Sequence, residues 1–237
     1  MLREIREIVC RRMLRTKLWE SLLVRVMPFL RLNPYYTSIR GWKYTRGYKL
    51  LRPGDIILSR DRWKLLSYIV PGDFPHAALC IAKGPDEEFE VAEMTHLHYT
   101  KSTFFDICKE ADRVVILRCR DWDDAYIRTV IHTCMSFENT EYDPTFSADT
   151  DTLYCSQLVI ASDPEKRLKV KPFKLPGAGT ECYSPTCILN AENVTLIWDS
   201  NKEIQTKHNK ILKIEEAVYN SGPAPVAEEE EETLFRQ

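Results

Sequence analysis

Between residues 53 and 119 the chain sets down four short apolar runs, and their density restricts the fold more than any other feature. Residues 55–58 (DIIL) follow a Pro53-Gly54 turn signal, and residues 77–82, 89–94 and 113–119 (RVVILRC) come after them. Each is of strand length, and RVVILRC is the clearest strand of the set. In residues 89–94, Phe89, Val91 and Ala92 are expected to point inward. Residues 62–70 read as a short helix or loop closed by Pro71-Gly72. The period then changes. Tyr126, Val130, Ile131 and Cys134 recur at helical steps, which predicts a helix over 121–137. A second helix is predicted over 153–161, with Asp149 or Thr152 as its N-cap. Residues 194–198 form a late strand, and 211–219 a strand or short helix. A β-rich centre with helices beside it is an α+β chain.

The flanks differ from this centre. With 237 residues the chain can bury one substantial core. Its net charge of -2 argues against nucleic-acid binding by charge alone, but that value averages unlike parts. Residues 1–47 hold 11 Lys/Arg against 3 Asp/Glu, residues 48–200 hold 17 against 24, and residues 201–237 hold 5 against 8. Residues 2–26 carry an apolar stripe at three- and four-residue steps with arginines between. Residues 1–34 are therefore compatible with an anionic membrane surface, or with packing on the domain. Residues 35–50 (YYTSIRGWKYTRGYKL) read as an extended connector pinned by its rings. The tail from Ser221, with five Glu at 228–232, reads as disordered. Three parts follow: 1–47, a basic amphipathic helix and aromatic connector; 48–219, the folded domain; and 220–237, the acidic tail. No run reaches the ~18 apolar residues of a membrane span, and no secretory h-region is present. The expected location is cytoplasmic or peripheral to a membrane. The eight cysteines read as scattered thiols rather than a disulfide framework.

Three segments carry chemistry together. His76 opens the run at 77–82, Glu93 lies on the next run, and Tyr154-Cys155-Ser156 heads the second predicted helix. Taken singly, each has a bland reading as a structural histidine, a surface carboxylate and a buried thiol. Joined, they meet the needs of a cysteine nucleophile. A helix N-terminus and an imidazolium both favour the thiolate, and backbone N–H groups at that terminus can hold an oxyanion. Glu93 could orient the imidazole from its other nitrogen. Glu90 is the alternative orienter, but its odd spacing from Glu93 puts it on the other face of a regular strand. His96 and His98 form an H-x-H that could bind metal, with no firm third ligand, so neither a metal site nor a cofactor is expected.

The Pro-Gly-Asp-Ile-Ile-Leu run, the strand-opening His76, Glu93 on the next strand and Tyr154-Cys155-Ser156 last resemble, in that order, the permuted papain-like amidases. These are the YiiX-like branch of the NlpC-type cysteine peptidases. The resemblance spans about residues 50–200. It includes a closing segment from Tyr183-Ser184-Pro185 to Leu196-Ile197-Trp198. It implies a circularly permuted papain-like fold, with a small antiparallel sheet or barrel packed on helices and the nucleophile at a helix N-terminus. It also implies an acyl-enzyme on Cys155, with His76 as base, Glu93 as orienter and the Cys155 N–H as one oxyanion donor. Tyr154, Ser156 and Asp55 would frame the site. The expected substrate is a peptide or acyl-amide. The alternatives are lipid-directed acyl hydrolysis or transfer at a membrane surface, and a non-catalytic binding or virion/structural protein on the same scaffold.

Overall fold

The computed structural model describes residues 37–64, 72–144, 151–174 and 181–202, together with positions 26, 30, 67, 70 and 146. The expectations for residues 2–26, 211–219 and the acidic tail lie outside the described residues. Met1–Ser200 forms one compact unit and Asn201–Gln237 another.

The four apolar runs become β1 (Ile56–Arg60), β2 (His76–Lys83), β3 (Phe89–Met94) and β5 (Arg113–Cys119). With β4 (Tyr99–Thr103) and β10 (Val194–Asp199) they make an antiparallel sheet of order β10-β5-β1-β2-β3-β4. The sheet is open, with β10 and β4 at its edges, so it is the sheet and not the barrel that forms. Two short strands, β8 (Phe173–Lys174) and β9 (Glu181–Cys182), pair apart from it.

Both faces of this sheet are buried, which is why the runs read as continuous apolar segments. On one face Ile56, Leu58, Leu79, Ala92, Val115 and Leu117 meet a first helical layer. Its elements are α3 (Asp124–Ser136) and α4 (Cys155–Ala161), which contribute Tyr126, Val130, Leu158 and Val159. On the other face Ile57, Ala78, Cys80, Val91 and Ile116 meet a second layer. That layer is α1 (Trp42–Leu50) and α2 (Phe104–Glu110), with Phe104 and Ile107 at the contact. Each large side chain removed from water contributes roughly 1.5–3 kcal/mol. Three of the buried carboxylates are ion-paired: Asp55 with Arg118, Asp112 with Arg60 and Arg62, and Asp199 with Arg113.

Three expectations are corrected. The connector expected at 35–50 is helical over Trp42–Leu50. Its rings do anchor it, because Tyr44 and Tyr48 stand four residues apart on one flank of a helix. Tyr44 stacks on Phe104 at 5.7 Å and Tyr48 meets the edge of Phe89 at 5.1 Å. The second correction concerns α4, which starts at Cys155 and not at 153. Thr152–Leu153 is β7, paired in parallel with β6 (Glu141–Tyr142), so the backbone stays extended up to the N-cap Tyr154. Thr152 therefore caps nothing, and Asp149 lies outside the described residues. The helix expected over 121–137 forms as α3 but begins three residues later, because Asp123 caps it, accepting from Ala125 N and Tyr126 N at 3.0 and 2.9 Å.

Gly47 is the contact point of α1 with the sheet. A Cβ built there would stand 2.9 Å from the Trp198 ring. Gly47→Val should therefore lower unfolding stability by about 1–3 kcal/mol through overpacking. Urea denaturation should show a lower midpoint at unchanged slope; an unchanged midpoint would mean that α1 is not docked on Trp198.

Candidate active site

The register of β2 and β3 sets the site. Ala78 pairs with Glu93, so His76 is the diagonal neighbour of Glu93 on the same face. Their side chains meet, with His76 Nε2 2.6 Å from Glu93 Oε2. One strand further out, Val91 pairs with Ser102, which places Ser102 diagonal to Glu93. Ser102 Oγ donates to Glu93 Oε1 at 2.5 Å. The result is a row across three strands: imidazole, carboxylate, hydroxyl. Glu90 is of the opposite parity on β3, across from Ala82 and Thr103, and takes no part.

Cys155 is the first residue of α4 and is buried. Its sulfur donates to the Pro75 carbonyl at 3.7 Å, at the very start of β2. The thiol also lies close enough to the His76 ring to raise its pKa. Because Nε2 is committed to Glu93, Nδ1 is the ring nitrogen left for the sulfur. The structure thus brings Cys155, His76 and Glu93 together in one line.

The electrostatics follow from this line. Burial disfavours a charged His76 ring, but hydrogen bonds to Cys155 and Glu93, with the charge of both, outweigh it and push the pKa up to about 10. Burial alone would raise Glu93. The His76 hydrogen bond and charge, the Ser102 hydroxyl and the Lys64 cation instead hold it below the ordinary carboxylate value. The pair is an imidazolium carboxylate.

The three residues expected to frame the site divide. Tyr154 and Ser156, on either side of the thiol, both grip Tyr183. Tyr183 N donates to Tyr154 Oη at 3.0 Å, and Ser156 Oγ donates to the Tyr183 carbonyl at 2.5 Å. They fix the start of α4 against the segment before α5 (Pro185–Leu189). Asp55 does not frame the site. Ser59, not Ile56, faces His76 in the β1–β2 ladder, so Asp55 stands roughly 13 Å further along the strand. There it holds Arg118 through two 2.7 Å bonds and accepts from Arg52 N at 2.8 Å.

Two neighbours were not foreseen. Ser102 lies on a polar segment (YTKST) that gives no apolar strand signal, because β4 is an edge. Tyr142 sits on β6 opposite Leu153, two residues before the thiol, and packs against the core cluster containing Cys155. Burial raises its phenol well above the ordinary value, helped by the nearby Cys155, Asp143 and Tyr154, so the hydroxyl keeps its proton. His96 and His98 fall in the β3–β4 turn and not on a strand, while Cys108 is buried in the second layer. Among the described residues no group of three or more His, Cys, Asp or Glu could hold a metal ion.

A thiol at a helix start, aligned with an imidazole and a carboxylate on an antiparallel sheet, is the arrangement of papain-like cysteine hydrolases. The model of the permuted papain-like amidases, the YaeF/YiiX, C92 family, matches residues 50–175, and the chain belongs to that family. Among solved structures, the chain is similar to the metalloprotein yiiX from Escherichia coli O157:H7. The TM-score is 0.53 at 17% identity, over 62% of this chain and 96% of that one. This likeness is one of fold. No curated protein sequence matches the chain.

The raised His76 value has a defined consequence. The folded pKa lies above the unfolded ~6.5, so the charged ring contributes stability that is complete below pH ~6.5 and lost as pH rises toward 10. Glu93→Gln should move the His76 ring titration, followed by NMR, downward by a pH unit or more and flatten this pH dependence. A His76 midpoint near 6.5 in the unaltered protein would contradict the aligned arrangement.

Proposed function

We propose that the chain cleaves an amide bond, peptide or acyl-amide, through a thioester on Cys155. The observation that carries this reading is the aligned Cys155–His76–Glu93 line, with His76 held charged and Glu93 fixed by Ser102. In the reactive form the Cys155 proton has moved to His76, and the thiolate attacks the substrate carbonyl carbon. The carbonyl oxygen takes the negative charge as the C–S bond forms. The backbone N–H of Cys155, at the first position of α4, donates to that oxygen. The second donor in this reading is the Tyr142 hydroxyl, which keeps its proton and belongs to a residue packed against the core cluster that contains Cys155. His76 then gives its proton to the leaving amine as the C–N bond breaks. For deacylation His76 takes a proton from water, hydroxide oxygen bonds to the thioester carbon, and the thiolate leaves. Glu93 keeps the ring oriented throughout and stabilises its positive form. The intact set of three weighs against a purely binding role on this scaffold.

Cys155→Ala and His76→Ala should each abolish turnover of a reactive amide or ester panel while retaining the wild-type circular dichroism spectrum. Intact-mass spectrometry of the unaltered protein with the same panel should reveal a single acyl adduct that maps to Cys155. Adduct formation spread over several cysteines, or turnover surviving in Cys155→Ala, would sink the proposal. Preference for esters of long acyl chains over amides would favour the lipid-directed alternative. Tyr142→Phe should lower kcat roughly 100-fold with KM little changed if its hydroxyl donates to the oxyanion.

A further inference from the structure

Glu93 is held from both sides of its strand. His76 Nε2 stands 2.6 Å from Oε2 on the β2 side, and Ser102 Oγ donates to Oε1 at 2.5 Å on the β4 side. The second distance is that of a hydroxyl bonded to a charged oxygen. The terminal torsion of a glutamate is broad and roughly two-fold, so a carboxylate held at one oxygen can swing and exchange its two oxygens. Held at both, it cannot. The strand that carries Ser102 is itself pinned. At one end Tyr99 N donates to the Thr140 carbonyl at 2.9 Å. At the other, Thr103 caps α2: its hydroxyl accepts from Asp106 N at 3.1 Å, and its own N–H donates to Asp106 Oδ2 at 3.0 Å.

The groups around Glu93 leave this task to Ser102. Thr100 stands directly opposite Glu93 in the β3–β4 ladder, but its hydroxyl is engaged with Thr95 Oγ1 and the His98 carbonyl, each at 3.3 Å. The Thr103 hydroxyl belongs to the cap of α2. Lys64 is a second cation near Glu93, yet its ammonium is bonded to Glu110 of α2 at 2.5 Å, so it supplies charge and no orientation. Burial alone would raise the Glu93 pKa; the His76 hydrogen bond and charge, the Ser102 hydroxyl and the Lys64 charge outweigh it. We propose that Ser102 is a positioning residue of the hydrolytic site, whose hydroxyl locks the Glu93 carboxylate in the one orientation that serves His76 and keeps it ionised while the ring takes and gives its proton. This role rests on the hydrolase reading of the site and adds to it a fourth side chain, one that acts only through Glu93.

The test is titration of the Glu93 side-chain carboxyl carbon in the full chain, followed by NMR through the acid range. Ser102→Ala removes a donor that favours the ionised form, so the Glu93 titration should move to higher pH, and the acid limb of kcat should move with it. At the pH optimum kcat should fall roughly tenfold, the worth of one hydrogen bond to a charged group, with KM little changed. Ser102→Thr keeps a hydroxyl and should behave like the unaltered chain. Thr100→Ala removes a hydroxyl from the same face of the same strand and should leave the Glu93 titration in place. Independently of any variant, the Ser102 hydroxyl proton should exchange slowly enough to be observed by NMR. The titration needs no substrate, so the two readings fail separately. Without hydrolase activity no amide turns over in the unaltered chain, whereas without the Ser102 role the titration does not move. An unmoved Glu93 titration in Ser102→Ala, an equal shift in Thr100→Ala, Ser102→Thr matching Ser102→Ala, or a Ser102 hydroxyl proton in fast exchange would each overturn the proposal.

Discussion

A sheet with both faces buried is the constraint on which the rest of this domain depends. It forces helices onto each side, α3 and α4 on one and α1 and α2 on the other. It also removes the polar alternation that an antiparallel sheet with one wet face would show. The few polar side chains that remain on the central strands must then find partners or lie at strand ends. His76 is the first residue of β2, where the covering layers give way. A titratable ring can sit there with a quarter of its side chain exposed and still lean on Glu93. Burial by itself works against the charged ring, but the same exclusion of water strengthens the ion pair with Glu93, and the pairing keeps the imidazole charged.

Much of this was legible in the sequence because burial and strand length are local signals. Residues 89–94 and 113–119 emerge as strands with the expected bounds, and Asp123 caps the helix that Tyr126 and Val130 foretold. Cys155, His76 and Glu93 could be singled out because each sits at a recognisable place: a helix start, a strand start and the strand after. What escaped notice depends on partners far away in the chain. The helix of α1 is encoded less by propensity than by where its rings land, on Phe104 and Phe89. Ser102 is unremarkable until the β3–β4 register puts it beside Glu93. Asp55 looked like part of the site because it belongs to the most recognisable motif. That motif is a turn, and its carboxylate serves the turn and Arg118 at the far end of the strand.

Cys155 is held by a different device from His76, Glu93 and Ser102. His76, Glu93 and Ser102 are placed by ladder register alone, three residues on three adjacent strands. Cys155 is placed by a clamp, since the residues before and after it bond the N–H and the carbonyl of Tyr183. The clamp orients α4 about its own start, where the unpaired backbone N–H groups lie. Loosening Tyr183 would turn the helix without disturbing the row of three, and tightening the sheet would not compensate. Positioning errors in the two devices are therefore independent, and the site needs both to be small.

Register dependence makes the row of three fragile in one specific way. Side chains alternate with a period of two, so a one-residue slip of β2 against β3 would send His76 to the opposite face from Glu93. The β2–β3 ladder does contain an irregularity, between Cys80 and Ala82. It lies on the far side of Ala78 from His76, so the half of the ladder that aligns the imidazole stays regular. At the irregularity itself Ile81 still faces the first layer, with Ala77 and Leu79. The sheet thus accommodates its local distortion where only packing is affected, and keeps strict pairing where two side chains must meet at hydrogen-bonding distance.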